Sequence, residues 1–191
     1  MVACITHSVR QSSMRYMSWR IVTYRLTVDQ SKHRVAVWRE LRRLGALALQ
    51  QATWAIPPGD AFDAGLARAI ALVERGGGRP LVFRVEPDEA TATTLGEMFT
   101  AEREAEWREF LSECDKAEAE LHREVEQQKF TLAELDEEEQ NIDRLRRWYR
   151  ELRAKDLFGA PSAGTAEQRF KECAELLEDF AHRVFEARER P

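Results

Sequence analysis

The chain lacks the features that most often announce a membrane, secreted or catalytic protein. No apolar run approaches the roughly 20 residues needed to cross a bilayer, so a membrane span is excluded. Residues 1–20 contain no continuous apolar segment followed by small residues, which argues against a secretory signal. The three cysteines, Cys4, Cys114 and Cys173, are odd in number and far apart. They make neither a disulfide framework nor a CxxC metal knuckle, and a cytoplasmic, reducing compartment suits them. Histidine is scarce: His7, His33, His122 and His182 are scattered, and none has an obvious nucleophile nearby in sequence. No Gly-x-Ser-x-Gly elbow, His-Glu-x-x-His pair or Gly-x-Gly-x-x-Gly fingerprint occurs. The sequence therefore supports no catalytic residue, metal or cofactor, and the expectation is a non-enzyme.

What is present is enough for one domain, or one domain with an elaborate extension. Of 191 residues 43% are hydrophobic and 33% charged, which argues against wholesale disorder. The net charge of −5 is unevenly spread. Residues 1–80 hold 12 Lys and Arg against 5 Asp and Glu, whereas residues 81–191 hold 17 against 29. A basic front half precedes an acidic back half.

Residues 1–17 are expected to be a disordered tail or a mis-assigned start, Met14 and Met17 being alternative first residues. Trp19 to Leu26, rich in β-branched and aromatic residues, reads as a strand. Ser31 begins a helix to Leu44 that Gly45 closes, with Val37, Trp38, Leu41 and Leu44 on its apolar face and Lys32, Arg39 and Arg43 opposite. Short strands follow at 46–50 and 53–56. Asp60 caps a second helix ended by Gly76-Gly77-Gly78, and Leu81 to Val85 is a last strand. The order β-α-β-β-α-β over residues 18–87 predicts an α+β fold with a ferredoxin-like unit.

From Asp88 onward the pattern is helical. Trp107, Phe110, Cys114, Ala117 and Leu121 repeat at steps of three and four. Thr131 and Glu134 form a capping box, with Phe130 and Leu135 placed as a hydrophobic staple. Leu135, Ile142, Leu145, Tyr149 and Leu152 then make a stripe interrupted by Glu138. Thr165 and Gln168 suggest another capping box before Phe170, Cys173, Leu177, Phe180 and Val184. Residues 88–191 thus predict three antiparallel helices, packed as an extension of the same domain.

Several motifs invite chemistry. Arg75-Gly76-Gly77-Gly78-Arg79 looks like a phosphate loop, but it follows a helix and precedes a strand, the reverse of the required order, so a turn is the reading. Glu118 with His122 and Asp179 with His182 could share helical faces. They lack the Glu-x-x-His pairs of carboxylate-bridged metal bundles. Cys114 and Cys173 fall on apolar stripes and read as small core residues. Arg34 and Arg42 flank the apolar face of the first helix. Together with Arg20 and Arg25 of the first strand they could hold an oxyanion or a nucleic-acid phosphate, since guanidinium matches such groups bidentately. The competing reading is salt bridges to the acidic helices.

Three runs carry a family resemblance: Trp19-x-Ile21-Val22-Thr23-Tyr24-Arg25-Leu26, Arg34 to Ala46, and Gln50-x-x-x-Trp54-x-Ile56-Pro57. With Lys129-Phe130-Thr131-x-x-Glu134-Leu135, Arg144-x-x-Arg147-Trp148 and Arg153-Ala154-Lys155-Asp156-x-Phe158-Gly159-Ala160-Pro161, the chain resembles the N-terminal domain of the ChrB chromate-resistance proteins. The resemblance implies a bacterial cytoplasmic protein tied to chromate resistance, in a family of chromate-responsive transcriptional regulators. The front half is also distantly similar to the ferredoxin-like domains of the PaaX repressors and Cas2. Cas2 nucleases carry an acid at the end of strand one, where this chain reads Thr23-Tyr24-Arg25, so a metal-dependent nuclease is not expected.

Longer members continue past the position of Pro191 into a second domain, and no helix-turn-helix is apparent. The expected function is a non-enzymatic regulatory or accessory protein that binds chromate or DNA through its basic face. The alternative is an interaction module that forms a homodimer or docks a separate ChrB C-terminal domain. A nuclease or chromate reductase ranks last.

Overall fold

The computed structural model describes residues 18–26 and 31–189. The expectations for residues 1–17, and for Cys4 and His7, fall outside that range. The described residues form an α+β structure with one four-stranded antiparallel sheet and five helices. It divides into two compact units, Met1–Thr100 and Ala101–Pro191.

In the first unit, β1 (Trp19–Thr23), α1 (Ser31–Leu44), β2 (Leu47–Gln50), β3 (Thr53–Ile56), α2 (Asp60–Arg75) and β4 (Leu81–Val85) follow in order. The sheet runs β2-β3-β1-β4 with every neighbouring pair antiparallel. Ile21 of β1 lies opposite Ala55 on one side and Phe83 on the other. The first strand stops at Thr23, so Arg25 lies beyond it rather than within it.

Helix α1 buries Val37, Leu41 and Leu44 and packs against α2, which buries Phe62, Leu66, Ala69 and Val73. The close approach depends on Gly65, where an added Cβ would lie 2.3 Å from Leu44 Cδ1. Asp60 is the first residue of α2, and Gly59 holds the cap position without a side-chain hydrogen bond. The acid expected to cap instead places charge in the first turn, where the helix dipole favours it.

Helix α3 (Glu89–Glu126) begins where Asp88 Oδ1 accepts the Thr91 N–H at 2.8 Å. That bond to the charged carboxylate holds Asp88 below the usual range. The division between units falls inside α3. Phe99 packs edge-on to Trp19 and Phe62 in the first unit, with ring centroids 6.1 and 6.4 Å apart.

The second unit comprises the rest of α3 with α4 (Leu132–Lys155) and α5 (Ala163–Glu189). Its core is the one the periodicity described: Trp107, Phe110, Cys114, Ala117, Ile142, Leu145, Leu152 and Cys173 are buried together. Leu121, Leu135, Phe180 and Val184 form a second cluster, with Phe130 against it. Thr131 caps α4 by accepting the Glu134 N–H at 3.3 Å.

The predicted capping box at Thr165 is not used. Helix α5 starts at Ala163, and Ser162 in front of it donates its N–H and hydroxyl to Glu104 at 2.8 and 2.6 Å. Burial alone would raise Glu104, but these bonds and the Arg108 contact outweigh it and hold the carboxyl low. Among the described residues no helix is long and apolar enough to cross a membrane.

Candidate anion-binding face

The outward half of α1 is built from five cations and two apolar side chains. Successive residues of a helix turn by about 100°. With Val37, Leu41 and Leu44 directed inward, the solvent arc holds Lys32, Arg34, Arg39, Arg42 and Arg43, all exposed. Trp38 lies in the same arc, about 40° round from both Arg34 and Arg42, and is 51% exposed. Val35 beside it is 45% exposed. The expectation that Trp38 joins the apolar face is therefore corrected: a buried stripe of three residues fills the space against α2, and the indole is left outside among guanidinium groups.

The only acid of α1, Glu40, does not neutralise this arc evenly. It is bound by Arg43 and by Arg68 of α2, each at 2.7 Å. Burial would raise its carboxyl, but the two guanidinium hydrogen bonds prevail and lower it. Lys32 and Arg39 share the side of α1 that carries Arg43, within about 40° of it round the helix.

The four arginines singled out from the sequence stand on different elements. Arg34 and Arg42 are two turns apart on the exposed arc of α1. Arg20 is half-buried on the sheet, where its guanidinium pairs with Asp63 and donates to the Pro57 carbonyl at 3.3 Å. It fastens β1 to the start of α2. Arg25 is exposed after β1, and its carbonyl oxygen would lie 2.8 Å from a Cβ on Gly78.

A family model described as the N-terminal region of protein ChrB matches residues 34–191. The chain belongs to this family. No curated protein and no solved structure matches it. Family membership carries association with chromate resistance, and the ChrB match begins at Arg34, so it takes in nearly all of α1.

Other segments within the matched range have structural duties. Asp156, in the Lys155-Asp156-x-Phe158-Gly159-Ala160 run, is buried and accepts the Trp107 indole N–H at 3.0 Å. It also accepts the Gly159 and Ala160 backbone N–H groups at 3.0 Å. One carboxylate thus ends α4, shapes the turn and anchors the central tryptophan. Tyr149 stacks on Phe170 at 5.5 Å and 12° beside the same core.

The glycine run is a helix terminus. Gly77, at φ 69°, donates its N–H to Glu74 O at 2.8 Å, and Gly78 donates to Val73 O at 2.9 Å. This is the paired closure of a Schellman motif. Amides committed to those carbonyls are not available to a phosphate.

Cys114 and Cys173 are brought together across α3 and α5, the Cys173 thiol donating to the Cys114 carbonyl at 3.4 Å. The neighbouring thiol and then burial push Cys114 up, the opposite of an activated nucleophile. Glu118 and His122 do line one hollow of about 430 Å3 with Glu172, Glu175 and Asp179. Among the described residues no three His, Cys, Asp or Glu side chains converge as a metal site.

Proposed function

We propose that this chain is a regulatory or accessory protein of chromate resistance that binds an anionic partner, DNA in the first instance, through the solvent arc of α1. The observation that carries the reading is the placement of Trp38 and Val35, half-exposed, within an arc of five cations. Arg and Lys supply the phosphate contacts that dominate nucleic-acid affinity. An exposed indole among them adds a flat apolar face against sugar or base, a combination that a merely solvated helix surface does not require. Strands β1 and β2 run parallel with β3 between them, and β3 and β4 run parallel with β1 between them. That double split crossover supports a ferredoxin-like reading of residues 18–87.

The test is a fluorescence anisotropy titration with a duplex from upstream of the chain's own gene, with and without chromate. Binding that chromate weakens fits the regulatory reading. Binding indifferent to chromate limits the role to an accessory DNA contact, and no binding at low salt removes the DNA reading.

One observation favours the interaction-module alternative. The edge strand β4 leaves Leu81, Val82 and Phe83 between 42% and 52% exposed. A sheet edge with apolar side chains on both faces is self-complementary to a second copy of itself. Sedimentation velocity showing a dimer that Phe83→Lys dissociates would support a homodimer through β4, whereas a monomer at all concentrations would remove it.

A further inference from the structure

The acid that interrupts the apolar stripe of α4 has no structural role that its surroundings explain. Glu138 is 3% exposed, and its Oε2 has no hydrogen-bond partner. A buried carboxylate oxygen without a donor costs several kcal/mol or forces the group to hold its proton. Glu138 lines a hollow of about 710 Å3 between α3 and α4, together with Glu113, Glu120, Glu137 and Arg147.

The cations around the hollow are engaged or distant. Lys116 and Arg144 both bind Glu113, at 2.5 and 3.3 Å. Arg147 lies nine residues along α4 from Glu138, about 13 Å at the helical rise. From α3, Glu120 and Glu124 face the carboxyl, and from α4 Glu137 does so; all three raise it. Arg123 pairs with Glu120, and Arg123 and Lys129 both contact Glu124, at 3.5 and 3.2 Å. The Asn141 amide, whose oxygen accepts from Arg144 at 2.9 Å, lowers Glu138 through a hydrogen bond, but less than burial raises it. The neighbouring cluster from α5 is apolar, with Phe180 and Val184.

We propose that the hollow between α3 and α4 binds a small aliphatic primary amine, whose ammonium N–H groups donate to Glu138 Oε2 within the field of Glu120 and Glu137. A hard metal ion would need several converging oxygen ligands, and among the described residues no such group exists. An ammonium needs only a buried acceptor and surrounding negative charge. This site is in the acidic unit and is independent of the α1 face.

Burial, with Glu120, Glu137 and Glu124 around it, pushes the Glu138 carboxyl up to about 7. Amine binding favours its ionised form, so occupancy near pH 7 releases about half a proton, and affinity rises about tenfold between pH 6 and pH 8. The test is calorimetric titration of the full chain with 1,4-diaminobutane at both pH values, in two buffers of different ionisation enthalpy. Glu138→Gln should weaken binding at least tenfold and abolish proton release, while its circular dichroism spectrum stays that of the parent. Glu137→Gln should weaken it less, and Glu186→Gln, an exposed acid of α5, should leave it unchanged.

Tetramethylammonium, a cation without N–H donors, should not compete. Equal affinity and proton release in Glu138→Gln, equal competition by tetramethylammonium, or no binding of the diamine at pH 8 would each overturn the proposal.

Discussion

Replacing Asp156 by alanine removes a single carboxylate from the turn between α4 and α5, and the structure sets the scale of the loss. Three donors point at that group: the Trp107 indole and the Gly159 and Ala160 amides, each at 3.0 Å. Trp107 is fully buried and Ala160 is 4% exposed, so water does not readily replace the lost acceptor for either. A buried donor left without a partner costs about 1–3 kcal/mol. Two such donors, with some relief from water entering at the half-buried Gly159, give a destabilisation of about 3–5 kcal/mol.

Trp107→Phe removes one donor while the two amides still hold Asp156, so its cost through this bond is about 1 kcal/mol. The double variant should be less destabilised than the sum of the two, by more than about 0.5 kcal/mol, since the residues are in direct contact. Urea denaturation followed by circular dichroism measures all three. An Asp156→Ala variant within about 0.5 kcal/mol of the parent would refute the reasoning, because it would mean that the turn does not need its acceptor.

Gly65→Ala should destabilise the first unit by about 1–3 kcal/mol, because its methyl group meets Leu44 at 2.3 Å; a thermal melt would show it, and a neutral result would mean that α1 can slide on α2. Gln128 closes α3 at φ 55°, donating to Val125 O at 3.1 Å, so Gln128→Gly should raise stability by about 0.5–1 kcal/mol in urea. Glu138 has its folded-state pKa raised to about 7, above the ordinary 4.5. Its contribution is therefore full below pH 4.5 and is lost as pH rises to 7. Glu138→Gln should gain stability relative to the parent by on the order of 2–3 kcal/mol between pH 5 and pH 8, measured by paired melts.

The elements were legible because local signals agreed with tertiary need. Gly45 and Gly77 sit at helix ends in left-handed conformations, and Thr131 performs the cap that its spacing to Glu134 announced. Trp38 departs from its expected place because hydrophobicity alone does not decide core membership. Its angle beside Arg34 and Arg42 already placed it at the border of the stripe, and only the close packing of α1 on α2 decides which side it takes. Thr165 and Gln168 had the right spacing for a cap, yet Ser162 was favoured by Glu104, 58 residues earlier in the chain. Arg20 illustrates the same limit: its partner Asp63 is 43 residues away, and no local pattern distinguishes a tethered arginine from one offered to a ligand.

The central claim is that the α1 arc contacts phosphate, and the salt dependence of DNA binding tests it most directly. Each phosphate contact contributes about 0.9 to the slope of log affinity against log salt concentration. If Lys32, Arg39 and Arg42 each make one, raising salt from about 50 to 200 mM weakens binding at least about 40-fold. The variant carrying Lys32→Gln, Arg39→Gln and Arg42→Gln should bind more weakly at low salt, with a slope smaller by about 2.7. An unchanged slope in that variant, with its fold intact, would contradict the account.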